Sequence, residues 1–297
     1  MRRVAVLVLG LTVFGLTGCG DGSSGGRTVV ATTTQVADLV RQVGGSRVSV
    51  DGMLRPDADP HEYEPRPSDV AALARAGLVF RSGGDVDGWL GDAISNSGGD
   101  ADVVSLTGSV RRLGDDPHWW LDPRNAELAI DTIRARLSRL DPAGRPVYRR
   151  NAARAVEGLR SLDKRIAACV ARVPRAKRKI VTTHDALGYF ARRYGIEVVG
   201  AVIPSLSTQA QASAGDVERL VEQIRRERVE AVFPESSVNP DIEKAIAREA
   251  GAQIGDPLYA DSLGQKGSPG ATYAGSLAAD ANALVRGMSG GRVDCGL

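Results

Sequence analysis

Aromatic side chains supply only 4% of the 297 residues, so any large core must be built from aliphatic ones. Charge of one sign is also lacking. The 38 basic residues against 36 acidic ones include Arg2 and Arg3 of an N-terminal leader, whose removal leaves 36 of each sign and argues against a nucleic-acid partner. The short basic runs, Arg175, Lys177, Arg178, Lys179 and Arg225, Arg226, Arg228, have no interleaved aromatics and read as solvated helix ends. No Gly-Lys-Ser/Thr follows Ser82, Gly83, Gly84, which makes that stretch a turn and not a phosphate loop. A His-Glu-x-x-His helix, the usual signature of a secreted zinc hydrolase, is absent.

Cysteine and histidine are scarce, at three each. Cys19 follows Arg2, Arg3, an apolar run from Val4 to Phe14, and Leu16, Thr17, Gly18. The run is too short for a durable membrane span and reads as a secretory signal over residues 1–18. Small residues directly before a cysteine resemble a bacterial lipobox, which implies cleavage there and a lipid on Cys19. Gly20 to Gly26 is then a polar, flexible tether, ending the 19–27 segment and placing the start of the fold near Arg27. Cys169 and Cys295 remain, an even pair that an extracytoplasmic compartment permits to form a disulfide, tying the C-terminal tail to a long helix.

From Thr28 onward, apolar β-branched runs alternate with helix-like segments, as in βα units around parallel sheets. Strands are expected at Thr28–Thr33, Arg47–Leu54, Leu78–Arg81 and Ala101–Leu106. Prolines 56, 60, 65 and 67 force a loop between the second strand and a helix capped by Ser68, with Val70, Leu73 and Ala74 on its buried face. Asp122 and Pro123 open another helix, whose buried side should comprise Leu128, Ile130, Ile133, Leu137 and Leu140. Pro146 to Val173 is the longest helical pattern, roughly 40 Å at 1.5 Å per residue, enough to span two domains with separate cores. The alternation then resumes with strands at Ile180–Thr183, Glu197–Ile203, Val229–Phe233 and Gln253–Tyr259. Helices are expected over Ala186–Tyr194, Val217–Arg228, from Asn239 as cap to Ala250, and over Tyr273–Met288.

All three histidines fall at the carboxyl end of a strand or in the loop beyond it, where parallel α/β sheets bind ligands. His61 and His118 share an Asp-Pro-His tripeptide, Asp59-Pro60-His61 and Asp116-Pro117-His118, and His184 sits in Thr182-Thr183-His184-Asp185. Imidazole is the commonest metal ligand, and matching contexts so far apart point to one shared site between the two halves. A fourth ligand should come from a strand end of the second half. Asp261 occupies one, with Glu235 and Asp256 as competitors.

The stretches Asp59 to Pro65, Asp116 to Pro123, Thr183 to Phe190 and Ala260 to Leu263 resemble the four ligand motifs of cluster A-I substrate-binding lipoproteins, the receptors of ABC importers for zinc or manganese. That resemblance runs from about Thr28 to Met288. It implies two parallel-sheet βα lobes, 28–141 and 175–297, joined by one long rigid backbone helix over 142–174, with the metal in the interdomain cleft. It further implies His61, His118, His184 and Asp261 as ligands, Glu235 behind them, and no catalysis. The implied cargo is Zn2+, with Mn2+ as the alternative, since manganese receptors of the family often carry Glu where this chain has His184. The implied partners are a membrane permease and, through the lipid anchor, the bacterial cell membrane, the protein being a monomer. The His-rich loop of many zinc-specific members is missing. Two other readings are a secreted zinc hydrolase and a surface adhesin role that could coexist with metal binding.

Overall fold

The computed structural model describes residues 27–297, so the leader, the lipidation of Cys19 and the tether up to residue 26 lie outside the described residues. The first sheet is built from β1 (Arg27–Ala31), β2 (Val48–Gly52), β3 (Leu78–Arg81) and β4 (Asp102–Ser105), with α1 (Thr34–Gly44), α2 (Pro67–Arg75) and α3 (Leu90–Ser97) in the connections. Its strands run parallel in the order β2-β1-β3-β4. Two long helices follow, α4 (Pro123–Leu140) and α5 (Arg145–Val170). The second sheet repeats the plan with β5 (Lys179–His184), β6 (Glu197–Ile203), β7 (Ala231–Phe233) and β8 (Gln253–Ile254), connected by α6 (Gly188–Tyr194), α7 (Ala214–Glu227) and α8 (Asp241–Ala250), and α9 (Tyr273–Met288) ends it. Its order is β6-β5-β7-β8, again parallel.

Local chemistry explains the boundaries. Thr33 caps α1 by accepting the Val36 N–H, and Asp122 caps α4 by accepting the Arg124 N–H ahead of Pro123. Five expectations need correction. Arg66, not Ser68, precedes α2: Pro67 takes the first helical position and the Asp69 carboxylate reaches back to the Arg66 N–H at 2.7 Å. The helix consequently buries Asp69, Ala72 and Leu73 and exposes Ala74. On α4 the closest packing is made by Ala126, Ala129, Ile130, Ile133 and Leu137, leaving Leu128 and Leu140 half-buried, because alanines allow the helix nearer to its neighbours. The strand expected over Gln253–Tyr259 stops at Ile254, since Pro257 has no N–H to donate, and pairing resumes only in a single Glu235–Leu258 bridge. Helix α7 starts at Ala214, earlier than Val217, through a capping box of Ser213 and Asp216. Asn239 accepts the Asp241 N–H at 3.1 Å, but Pro240 holds the cap position of α8.

Separate cores are not what the chain builds. One continuous apolar cluster runs from Val29 and Leu39 through Ile133, Leu159 and Ile166 to Phe233 and Leu284, so α1, α4, α5 and α9 lie in a layer common to both sheets. Only the outer faces have cores of their own, under α2 and α3 in the first lobe and under α7 and α8 in the second. Helix α5, 26 residues and about 39 Å long, buries Leu159, Leu162, Ile166 and Cys169 in the shared layer. Rotating one lobe against the other would break that layer, which favours small adjustments around the cleft over wide hinge opening.

The C-terminal tail is fixed to the same helix. Cys169 is bonded to Cys295 across a sequence separation of 126, and Arg172 donates to the Asp294 carbonyl at 2.8 Å. Closing so long a loop restricts the unfolded chain. Reduction is expected to lower the unfolding free energy by about 2–4 kcal/mol. Denaturant melts with and without reductant measure it, and two freely alkylated cysteines in non-reduced peptide maps would refute the bond.

Candidate metal centre

In an open parallel sheet the crevice lies where the strand order reverses, and in the second lobe that point falls between β5 and β7. His184 is the last residue of β5, and Glu235 follows β7. The Glu235 Oε1 atom accepts both the His184 backbone N–H, at 3.3 Å, and the Nδ1–H of its ring, at 2.6 Å. Glu235 is set in turn by its own N–H to Thr183 Oγ1 at 3.1 Å, while the Thr183 hydroxyl donates to Glu243 at 2.8 Å.

The first lobe contributes from its loops. In each Asp-Pro-His tripeptide the aspartate two residues back accepts the histidine backbone N–H, at 2.9 Å in both. The proline between them offers no competing donor, so the same tight turn presents both rings. Asp116 Oδ1 also accepts from Nδ1 of His118 at 2.7 Å. Two glycines permit this packing: Gly84, at φ +76°, lies where a Cβ would come within 2.8 Å of Pro117, and a Cβ on Gly188 would meet Asp116 Oδ2 at 2.7 Å. His118 leads into the turn Trp119–Leu121 and so into α4. Trp120 lies edge-on to the His118 ring and donates its indole N–H to the Ala260 carbonyl of the other lobe at 2.7 Å. Trp119 and Trp120 are each 1% exposed; Trp120 covers His118 at the cleft, while Trp119 donates its indole N–H to Ser82 Oγ at 3.0 Å.

The four predicted side chains meet between the lobes. His118 and His184 are fully buried, Asp261 is 1% exposed and His61 6%. The Nε2 atom of each histidine lies 3.4 Å from a carboxylate oxygen of Asp261, and the Nε2 atoms of His118 and His184 lie 3.2 Å apart. With Nδ1 of both rings donating to carboxylates, the hydrogen-bond network assigns lone pairs to the facing Nε2 atoms. Two lone pairs at that distance repel unless a cation stands between them. Ligand bonds of about 2.0–2.1 Å in a tetrahedron put the donor atoms about 3.3–3.4 Å apart, close to the 3.2 and 3.4 Å of these four contacts, within a ligand set that spans at most 4.8 Å. His61 Nε2 and both oxygens of Asp261 are buried without a hydrogen-bond partner, as a cation site requires.

The charges around the ring of His184 favour its protonated form. Burial disfavours charge on His184, but the carboxylates of Asp261 and Glu235 outweigh it and raise the ring to about 9. Burial opposes ionisation of Asp261 as well, and the surrounding His184, His118 and His61 nevertheless hold it well below the usual carboxylate range. Burial pushes Glu235 up, with His184 working against that shift.

Asp256, a competitor for the fourth position, is instead exposed and paired with Arg286 at 2.8 Å. Asp116 was not singled out by sequence as a partner of the histidine, although its repeat in both tripeptides was the available signal. Glu243 and Asp280 carried none. Asp280 accepts the Tyr259 N–H at 2.8 Å, two residues before Asp261, and burial raises it to about 7.

Among the described residues no helix is long and apolar enough to cross a membrane. The model of the family described as ZnuA, zinc-uptake complex component A, periplasmic, matches residues 29–287. The manganese-binding lipoprotein MntA of Bacillus subtilis (strain 168) is 32% identical over 307 residues, covering 97% of this chain and 100% of the relative. The metal ABC transporter substrate-binding lipoprotein ScbA of Streptococcus cristatus is 29% identical over 311 residues, with coverage of 97% and 100%. Among solved structures, the periplasmic zinc binding protein TroA from Treponema pallidum superposes with a TM-score of 0.83 at 28% identity, over 89% of this chain and 99% of that one. Two parallel-sheet lobes around a buried His3Asp cluster, together with these matches, place the chain in the ZnuA family, whose members are metal-binding receptors of ABC transporters and not enzymes.

Proposed function

We propose that the protein captures zinc outside the cytoplasm and delivers it to a membrane permease, with His61, His118, His184 and Asp261 as ligands and Glu235 orienting His184. In this reading residues 1–18 are removed, Cys19 carries the lipid that holds the receptor at the membrane, and the units are the lobes 28–141 and 175–297 on the backbone segment 142–174. The observation that carries it is the donor set: three imidazole nitrogens and one carboxylate, buried, with ligand atoms all within 4.8 Å of one another. That set is borderline-soft and suits zinc, whereas manganese prefers more oxygen. Zinc uptake restored in a strain lacking the gene by the wild-type protein, and not by a ligand variant, tests delivery.

A manganese receptor is the second reading. It is favoured by the naming of the Bacillus subtilis relative as manganese-binding, and by Asp261, which turns both oxygens toward the histidines and could supply a fifth donor. His184 discriminates the two. The wild type is expected to prefer zinc in direct competition, and His184→Glu, which trades a nitrogen for oxygen, is expected to lose more zinc affinity than manganese affinity. Competition titrations of both proteins read this directly; a wild type that prefers manganese would overturn the choice of zinc.

A further inference from the structure

His61 differs from the other two histidines in how it is held. Among the described residues no carboxylate bonds to its Nδ1, whereas Asp116 and Glu235 fix the rings of His118 and His184. Its ring is therefore the one whose orientation depends on the loop that carries it, between β2 and α2. One end of that loop is tied down, since Arg66 and the Tyr63 hydroxyl both donate to the Met53 carbonyl, at 2.8 and 3.1 Å. Among the described residues the bonds that hold the rest of the loop to other elements come from across the cleft, where the Asp57 N–H also donates to the Leu263 carbonyl at 2.9 Å. The Thr208 hydroxyl donates to Asp59 Oδ2 at 2.7 Å, and the Gln209 side-chain amide donates to the His61 carbonyl at 2.6 Å. Asp59 thus links two bonds, because its other oxygen accepts the His61 N–H.

Thr208 and Gln209 belong to the connection between β6 and α7, whose base is tied to the residue after His184: the Asp185 N–H donates to the Ser205 carbonyl at 2.9 Å. Ser205 and Ser207 then stiffen the connection by accepting the Ser207 and Gln209 N–H groups. A short path of hydrogen bonds therefore runs from the His184 segment in one lobe to both peptide groups of His61 in the other. Trp120 to Ala260 and Leu263 to Thr34 cross the cleft in its buried part, whereas the bond from Gln265 to Pro56 is exposed, and so is Gln209 beside a half-buried Thr208. This pair lies at the rim, where water can compete for it and the cleft can part without disturbing the shared core.

We propose that Thr208 and Gln209 form a latch that holds the His61 loop shut over the bound ion and sets the rate of its release, His61 being the ligand that lets go first. The proposal rests on the receptor reading above and adds to it the step that limits departure. Contacts that hold the loop over a bound ion act on the closed state, so their loss should appear chiefly in the dissociation rate.

The test loads the full mature chain with zinc, confirms its uptake by calorimetry, and follows release into excess chelator by stopped flow. Thr208→Val and Gln209→Ala are each expected to release the ion roughly three- to ten-fold faster, as loss of one modest hydrogen bond implies, with association changed by less than about two-fold. Thr208→Ser should keep the wild-type rate. Gln265→Ala is the control, because Gln265 also reaches across the cleft, to the Pro56 carbonyl at 3.1 Å, without touching the His61 peptides. Wild-type release rates in Thr208→Val, Gln209→Ala and their double variant would overturn the latch, as would equal acceleration by Gln265→Ala. A matching fall in the melting temperature of the metal-free variants would assign these residues a structural role instead. If the wild type takes up no zinc, the zinc reading fails and the latch with it; if it binds one ion and only the variants' rates disappoint, the latch alone fails.

Discussion

His118→Ala is expected to weaken zinc binding by more than about a hundred-fold while leaving both lobes folded. Loss of a partner that merely orients a ligand costs roughly 10–100-fold in metal affinity, and loss of the ligand itself should exceed that range. Asp116→Asn supplies the internal comparison. It keeps an acceptor oxygen for the His118 backbone N–H but removes the charge facing Nδ1, so its deficit should fall inside the range for an orienting partner. The fold should survive because His118 sits at the cleft, outside both sheets, and its neighbour Trp120 stays anchored by its bonds to the Ala260 carbonyl and from the Tyr273 hydroxyl. Calorimetry measures the affinities and circular dichroism the fold. Undiminished zinc affinity in His118→Ala would remove that residue from the donor set, and with it the convergence on which the receptor reading depends.

The parts of this site that sequence made legible are those in which chemistry repeats locally. Asp-Pro-His occurs twice because one turn, built from an aspartate acceptor and a proline that cannot donate, solves the same presentation problem on two loops. Asp122 before Pro123 marked the start of α4 for a similar reason, since cap and first-turn preferences act within a few residues. What stayed hidden depends on partners distant in the chain. Thr208 and Gln209 lie in a polar loop without a motif, and their partners Asp59 and His61 are 149 and 148 residues away. Glu243 and Asp280 look like ordinary solvated helix residues until the fold buries them. The shared core was misjudged for the same reason. Helical periodicity shows that α5 has an apolar stripe, but not that one stripe serves two sheets. Ser68 was preferred as a cap on residue type, whereas the acid at Asp69 and the proline at 67 set the cap two residues earlier, at Arg66.

Zinc affinity is expected to rise about ten-fold per pH unit between pH 7 and 9, and to level off only near 9. Imidazoles must be neutral to ligate, so a site of unperturbed histidines would gain nothing above about 6.5, the value on which a reading from sequence alone relies. The carboxylates of Asp261 and Glu235 overcome burial and raise His184 to about 9 in the metal-free protein. At pH 7.5 His184 is therefore expected to keep its proton, with its Nε2 facing Nε2 of His118 3.2 Å away. Zinc has to displace that proton, and one proton released per ion means one decade of affinity per unit. The sign for stability is the reverse. A histidine whose folded value lies above its unfolded one stabilises the fold fully below about 6.5, and that contribution is lost as pH rises through about 9. The metal-free protein should accordingly lose melting temperature from pH 6.5 to 9, as the imidazolium that offsets Asp261 and Glu235 disappears, while zinc takes over that charge and flattens the curve. Calorimetry at pH 7.5 in buffers of different ionisation enthalpy counts the released proton, and chelator competition from pH 6.5 to 9.5 measures the slope. No proton released, or an affinity flat between pH 7 and 9, would show that the carboxylates do not hold His184 charged in the resting site.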